Sequence, residues 1–280
     1  KETGFTGARE LHFNLYAAQA MLARVYWMKG DLSNAKRYAD KVIRSGKFRF
    51  ESIENLATFM KRRVSLSETI WGLYTTKISS YLYDRHVVKM TLTLPSGWNS
   101  IYDDSQGPLP GVDKRRSAWF TTLDNNGQAK NICTKIMDEK NDISAYTSGA
   151  YLGYSMIRIP EMYLIAAEAL LESDPDEAQK YFDTFIVSRG LFKYKDRPGS
   201  PQVTLEDIVK ERRKEFAYEE QMNWLDMKRT GAQVSRQVKD EATNEVKTYT
   251  LEINYYRYTF PLPADYELMY NNVPQNPGWK

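Results

Sequence analysis

The stretch "AAQAMLARVYWMKGDLSNAKRYADKVI", residues 17–43, decides how this chain is read. Leu11, Leu15, Ala18, Leu22 and then Val25 or Tyr26 recur at helical spacing, which predicts a helix with that stripe turned inward. Ala17, Ala18, Ala20 and Ala23 are small enough to let a second helix come close. Gly30 stops the first helix. After Asp31, "LSNAKRYADKVIRSG" predicts a second helix ending at Gly46, with Leu32, Ala35, Ala39 and Val42 on its inner face. A connection this short makes the two helices an antiparallel pair.

The pair resembles a tetratricopeptide repeat. Leu22, Ala23, Tyr26, Gly30, Ala35 and Ala39 fall where that repeat uses its medium, small, aromatic and glycine positions. A second copy lies at residues 158–190, "RIPEMYLIAAEALLESDPDEAQKYFDTFIVSRG", with Ile165, Ala166, Ala169, Ala178 and Phe182 in the matching places. Asp174 is placed to cap its second helix, with Pro175 at the first helical position. More than a hundred residues separate the copies, so a large insertion interrupts any solenoid.

The insertion, residues 50–150, has another character. "SETIWGLYTT" alternates and is rich in β-branched and aromatic residues, which predicts a short strand. The rest is punctuated by Pro, Gly, Asn and Asp, as in "LPSGWNSIYDD", which marks loops and tight turns. Beyond the second pair, residues 203–231 read as one long helix. Thr204 and Asp207 form its capping box, and Gly231 ends it. Residues 232–250 are polar and read as an exposed excursion. "LEINYYRYTFPLP" reads as extended, because Pro261 and Pro263 bar a helix. Ala264 to Tyr270 read as a short helical turn, and the closing "VPQNPGW" as a non-helical strap held by Trp279.

Composition narrows the function. Hydrophobic residues make up 42% of 280, enough for a sizeable core, and 20 Tyr, 6 Trp and 11 Phe supply rings for display as well as packing. The 39 Lys and Arg against 36 Asp and Glu leave a net charge of +3, too weak and too mixed to point to nucleic acid or an anionic membrane face. The single cysteine, Cys133, makes no intrachain disulfide and no multi-cysteine zinc site. No apolar run has the roughly 20 residues of a membrane span.

Six stretches in order resemble the SusD/RagB-like nutrient-binding lipoproteins of the Bacteroidetes outer membrane. They are the helical segment at 17–43, "SETIWGLY", "DKRRSAWF", "RIPEMYLIAAEAL", "VKERRKEFAYEEQMNWLDMKRTG" and "FPLPADYELMYNNVPQNPGW". Glu220 stands where the family mostly has Gly, and Met222 where it has Arg. The resemblance implies a mainly α fold: tetratricopeptide-like helix pairs in a SusD-like α-α superhelix, with a large insertion rich in loops and short strands. It implies one SusD-like domain, organised as a first pair at 9–46, the insertion at 50–150, a second pair and long helix at 157–231, and an extended closing segment at 251–280. It also implies that signal peptide, lipidated cysteine and further helices precede Lys1, so the chain is expected to be the C-terminal part of a longer protein. The membrane would then be met only through that N-terminal lipid anchor.

The resemblance further implies binding without catalysis and without a cofactor. The expected ligand is an oligosaccharide, with peptide as the lesser option, held at the cell surface of the outer membrane and passed to a SusC-like TonB-dependent transporter. The residues agree with that chemistry. A sugar ring offers an apolar C–H face to aromatic rings, and its hydroxyl rim suits amides, carboxylates and Arg. Trp98, next to Gly97 in a turn, leads the candidates, with Asn99, Tyr102, Asp103 and Asp104 after it. Tyr81, Tyr83, Asp84 and Arg85 form a second group. Trp71, Trp119 and Phe120 are expected to pack structurally, and Trp224 to lie away from the ligand. His12, a first-turn helix residue by its position, and His86, in a loop or strand, are far apart and fit no metal pattern. No Gly-x-Ser-x-Gly elbow or phosphate loop occurs. Glu211, Arg212, Arg213 and Glu215 read as buried or half-buried ion pairs. The alternative is a tetratricopeptide-type adaptor that takes peptides or proteins on its helix faces.

Overall fold

Asn14 opens the first helix, α1 (Leu15–Met28), by accepting hydrogen bonds from the backbone N–H groups of Tyr16 and Ala17 at 2.9 and 3.1 Å. The structure, a computed structural model, describes residues 8–61, 64–75, 77–89, 94, 98–102, 112–125, 127–137, 153–219, 222–239, 243–264 and 268–279. Gly30 ends the first turnaround with φ +76°, and Asp31 caps α2 (Leu32–Ile43) through the Asn34 N–H at 3.1 Å. Two short strands follow at a distance, β1 (Thr69–Leu73) and β4 (Tyr154–Arg158), paired antiparallel. Between them lie α3 (Ile78–Tyr83), α4 (Lys114–Trp119) and a hairpin of β2 (Phe120–Asn125) and β3 (Gln128–Cys133). Then come α5 (Ile159–Leu170), α6 (Pro175–Val187) and α7 (Leu205–Glu215).

The predicted inner face of α1 is corrected. Leu15, Leu22 and Val25 are 67, 37 and 44% exposed, whereas Ala17, Ala20, Ala23 and Trp27 are fully buried. Close approach of two neighbouring helices selects the alanines, and the Trp27 indole reaches a buried carboxylate. The two helix pairs also adjoin in space: α1 packs on α2, α2 on α5, α5 on α6, and α7 on α5. Ala35, Ala39 and Val42 line the α2 side of this array, and Ile165, Ala166, Ala178 and Phe182 the other pair, all fully buried. Tyr181 Oη donates to Asp40 Oδ1 at 2.7 Å across the seam, and Arg24 forks onto Glu161 at 2.6 and 2.7 Å. The long insertion therefore loops out of a continuous helical array.

The β1–β4 pair closes that loop. Strand β4 was not expected from the sequence, since "GYSMIRI" runs straight into α5. Thr69 and Ser155 share a buried hydroxyl contact of 2.8 Å, and the register shifts twice near Ile70. Trp71 is half-buried rather than core, edge-on to the exposed Phe13 at 5.2 Å. Gly72 is forced: an added Cβ would lie 2.5 Å from Val64 Cγ1 and 2.8 Å from the Tyr154 carbonyl. Gly72→Ala is expected to destabilise by about 1–3 kcal/mol, read from the urea midpoint; an unchanged midpoint would show that the strands part without cost.

The helix expected over 203–231 is two helices. Thr204 and Asp207 form the capping box of α7 as predicted. The helix ends at Glu215, Tyr218 takes φ +64°, and α8 spans Met222–Thr230. The break turns Glu219 inward, where two buried cations meet it; an uninterrupted helix would carry it elsewhere. His12 follows a short 3-10 turn ahead of α1 instead of lying in its first turn.

The chain gathers into two compact units, Lys1–Glu220 and Gln221–Lys280. In the second, the expected excursion is an antiparallel hairpin of β5 (Val234–Lys239) and β6 (Val246–Leu251). The segment after it is not extended: Asn254 takes φ +53° and Tyr256–Tyr258 form a 3-10 turn. Trp224 stacks on Phe260 at 5.1 Å and leans on Tyr258 at 5.5 Å. Met269 N–H bonds to the Ala264 carbonyl at 3.3 Å, closing a turn, with residues 265–267 outside the described set. The closing strap is tied by side chains acting as a strand's partner. Gln275 bonds both the N–H and the carbonyl of Leu262 at 2.7 and 3.1 Å, and Trp279 Nε1 donates to the Thr259 carbonyl at 2.8 Å.

Candidate ligand-binding site

The insertion's rings stand on the β2–β3 hairpin, so the hairpin's own anchorage comes first. Asp113 caps α4 through the Arg115 N–H at 3.1 Å, and its carboxylate takes the Arg115 guanidinium at 2.7 and 2.8 Å. Arg115 is fully buried and continues to Glu211 at 2.6 Å. Where the chain leaves the same end of the hairpin, Lys135 donates to Glu219 and to the Glu215 carbonyl, with its ammonium 3.8 Å from the centre of the Trp119 ring. Trp119 is fully buried as expected, and its Nε1 donates to the Leu56 carbonyl at 2.9 Å.

Glu215 joins these contacts. Arg189 grips it through two nitrogens at 2.8 and 2.9 Å, and Arg158 meets it at 2.9 Å while also reaching Glu68 and Glu219 at 2.6 and 2.7 Å. Five carboxylates (Glu68, Asp113, Glu211, Glu215, Glu219) thus face five cations (Arg115, Lys135, Arg158, Arg189, Lys214) in one buried network. Burial opposes charge on Glu215, but Arg189 and Arg158 outweigh it and hold the carboxyl far below the ordinary range. Arg213 is the exception to the expected buried pairs: it faces solvent, and Lys214 takes the inward place. Arg212 lies with a different group, donating to Glu168 at 2.7 Å over the Trp27 ring.

On this base the rings are placed. Trp98–Tyr102 form a 3-10 turn against α4 and α7. Trp98 is half-buried, its ring 4.4 Å from Phe120 at the start of β2. Tyr102 is 3% exposed and donates from its hydroxyl to the Lys214 carbonyl at 3.0 Å. Burial pushes its phenol well up, so it stays neutral and committed. The structure therefore gives Tyr102 the work of anchoring the turn and takes it out of the surface a ligand could touch. Asp103, Asp104 and the side chain of Asn99 lie outside the described residues.

The second group sits on α3 and the π-helical turn that prolongs it, Asp84–Val88. Such turns recur at functional sites because they re-aim a helix's side chains. Tyr81 is 58% exposed, with the Arg85 guanidinium 5.4 Å over its ring, and Tyr83 is half-buried. Asp84 pairs with Lys89 at 2.7 Å on the surface. His86, expected in a loop or strand, is buried in the π turn against Tyr218 at 5.1 Å and fixes it to the fold. The turn adjoins β3, and the Leu94 N–H bonds to the Asn131 carbonyl of that strand at 2.9 Å. Among the described residues no ring pair joins Tyr81 to Trp98; Trp98 meets β2 through Phe120, and the π turn that follows Tyr81 adjoins β3. The single cysteine, Cys133, is buried in β3, and burial pushes its thiol up to about 12, which keeps it unreactive. No group of three or more His, Cys, Asp or Glu able to hold a metal, and no helix long and apolar enough to cross a membrane, occurs among the described residues.

Solved structures of SusD-like proteins share this fold. A SusD superfamily protein from Bacteroides thetaiotaomicron superposes with a TM-score of 0.74 at 24% identity, covering 97% of this chain and 62% of that one. A laminarin binding SusD-like protein superposes at 0.59 with 22% identity, covering 95% and 63%. Surface glycan-binding protein A from Bacteroides uniformis does so at 0.61 with 19% identity, covering 92% and 60%. The chain thus spans about three fifths of the length of these structures. The sequence model of the SusD family matches residues 117–279, and the chain belongs to that family. Comparison with curated proteins gives no match.

Proposed function

We propose that this chain captures oligosaccharide at the cell surface and delivers it to a SusC-like TonB-dependent transporter in the outer membrane, acting as a binding protein and not an enzyme. The carrying observation is two partly or largely exposed rings near the β2–β3 hairpin, whose base is locked by buried charge: Trp98 against Phe120, and Tyr81 with Arg85 on the helix whose π turn adjoins β3. Trp98 and Tyr81 offer faces to sugar C–H groups, and Arg85 and Tyr83 offer donors to the hydroxyl rim. Family membership supports this reading, as do structural neighbours described as laminarin binding and as solved with xylogluco-oligosaccharide. The adaptor reading has one observation in its favour, the exposed Leu15, Leu22 and Val25 face of α1. Titration calorimetry against a panel of neutral oligosaccharides and a panel of unstructured peptides separates the two. Saturable heat is expected from at least one glycan; heat from peptides alone would favour the adaptor.

A further inference from the structure

Residues from 46–59 and 64–67 line a pocket of about 400 Å³, in the lower part of the roughly 300–1,000 Å³ range of small-ligand sites. Its lining includes none of the rings discussed above. Phe48 and Phe59 contribute to its walls, and Phe59 belongs to the core cluster of Leu56, Met60 and Trp119. On the polar side, a relay of hydroxyls fixes one carboxylate. Ser65 Oγ contacts Ser67 Oγ at 3.0 Å, and Ser67 Oγ donates to Glu51 Oε2. Asn55 Nδ2 and the Ser52 N–H donate to Glu51 Oε1 at 3.1 and 3.2 Å. Partial burial pushes the Glu51 carboxyl up, but these donors, with the charge of nearby Arg49, outweigh it, and the group is held below its ordinary range. Glu51 is therefore a pre-set, ionised acceptor. Lys47 and Arg49 also line the pocket, both exposed, and neither forms an ion pair among the described residues.

We propose that this pocket is a second saccharide subsite, one that takes an acidic sugar of the uronate class. The ligand it fits has a carboxylate for Lys47 and Arg49 and hydroxyl donors for Glu51, with the Asn55 amide free to bond through its oxygen. A neutral sugar leaves the two cations unused, and a simple anion leaves Glu51 facing a like charge. The subsite is independent of the Trp98 reading, and the test keeps the two apart.

Galacturonate, galactose and inorganic phosphate are titrated separately into the 280-residue chain and into Lys47→Ala, Arg49→Ala and Trp98→Ala, each checked by thermal melting. Galacturonate is expected to bind saturably, at least tenfold tighter than galactose or phosphate. Arg49→Ala and Lys47→Ala are each expected to weaken it about tenfold, with Trp98→Ala leaving it unchanged. Since both cations are exposed, their removal leaves the fold intact. Equal binding of galactose or phosphate, no saturable heat, insensitivity to both cation variants, or loss in Trp98→Ala would each overturn the proposal. Binding of galacturonate without any neutral oligosaccharide would sustain it while counting against the site at Trp98.

Discussion

Glu215→Gln lowers the stability of the first unit by about 3–5 kcal/mol, the cost of removing one partner from a buried ion pair. The substitution keeps shape and removes one of five carboxylates, leaving five buried cations against four charges. Arg189 suffers most, because it binds Glu215 through two nitrogens and among the described residues has only Glu68 as a second acidic partner. A double-mutant cycle with Arg189→Gln in urea is expected to show strong coupling, the pair costing well below the sum of its parts. The sign with pH follows from the depressed carboxyl. Its stabilisation is present above the ordinary glutamate range and is lost as pH falls through the folded value. The wild type should thus lose stability in acid more steeply than Glu215→Gln. A variant within about 1 kcal/mol of wild type at neutral pH would show the network to be dispensable.

Trp27→Ala is expected to cost a similar 3–5 kcal/mol, by a different route. The indole is fully buried where α1 meets α5, and its Nε1 donates to Glu168 Oε2 at 2.9 Å. The same oxygen accepts from Arg212 at 2.7 Å, and that guanidinium lies 4.5 Å from the ring's centre. Alanine leaves a large cavity and strips one donor from Glu168. Trp27→Phe separates the two losses: most of the packing stays, and about 1–2 kcal/mol is expected for the donor alone. Equal urea midpoints for Phe and Ala would assign the whole effect to the hydrogen bond and contradict the packing argument.

These two sites show how far the sequence could be read. Asp31, Asp174 and Thr204 mark helix starts because capping is a local bargain between a side chain and the next turn's N–H groups. The sequence motifs shared with the family turn out to be members of the buried networks: Asp113 and Arg115, Arg158 and Glu161, Glu211 and Arg212. Which face of α1 is inside was not local. Leucines outrank alanines on any hydrophobic scale, yet the close approach of two helices prefers the alanines, and only the fold shows that α5 is one of them. Strand β4 was hidden for the same reason, since its partner lies over eighty residues earlier. The break after Glu215 was masked by good helix formers; Glu219 turns inward because Arg158 and Lys135 wait there. At the site, Trp98 and Tyr81 were legible as rings spent in turns, whereas Tyr102 gave no local sign that Lys214 would claim its hydroxyl.

The most direct test of the binding account is Trp98→Ala. The ring is half-buried on Phe120, so its loss should lower the melting temperature only modestly. Titration calorimetry with the tightest glycan from the neutral panel is expected to show affinity reduced tenfold or more. Unchanged affinity in a folded variant would contradict the account and move the site away from the hairpin.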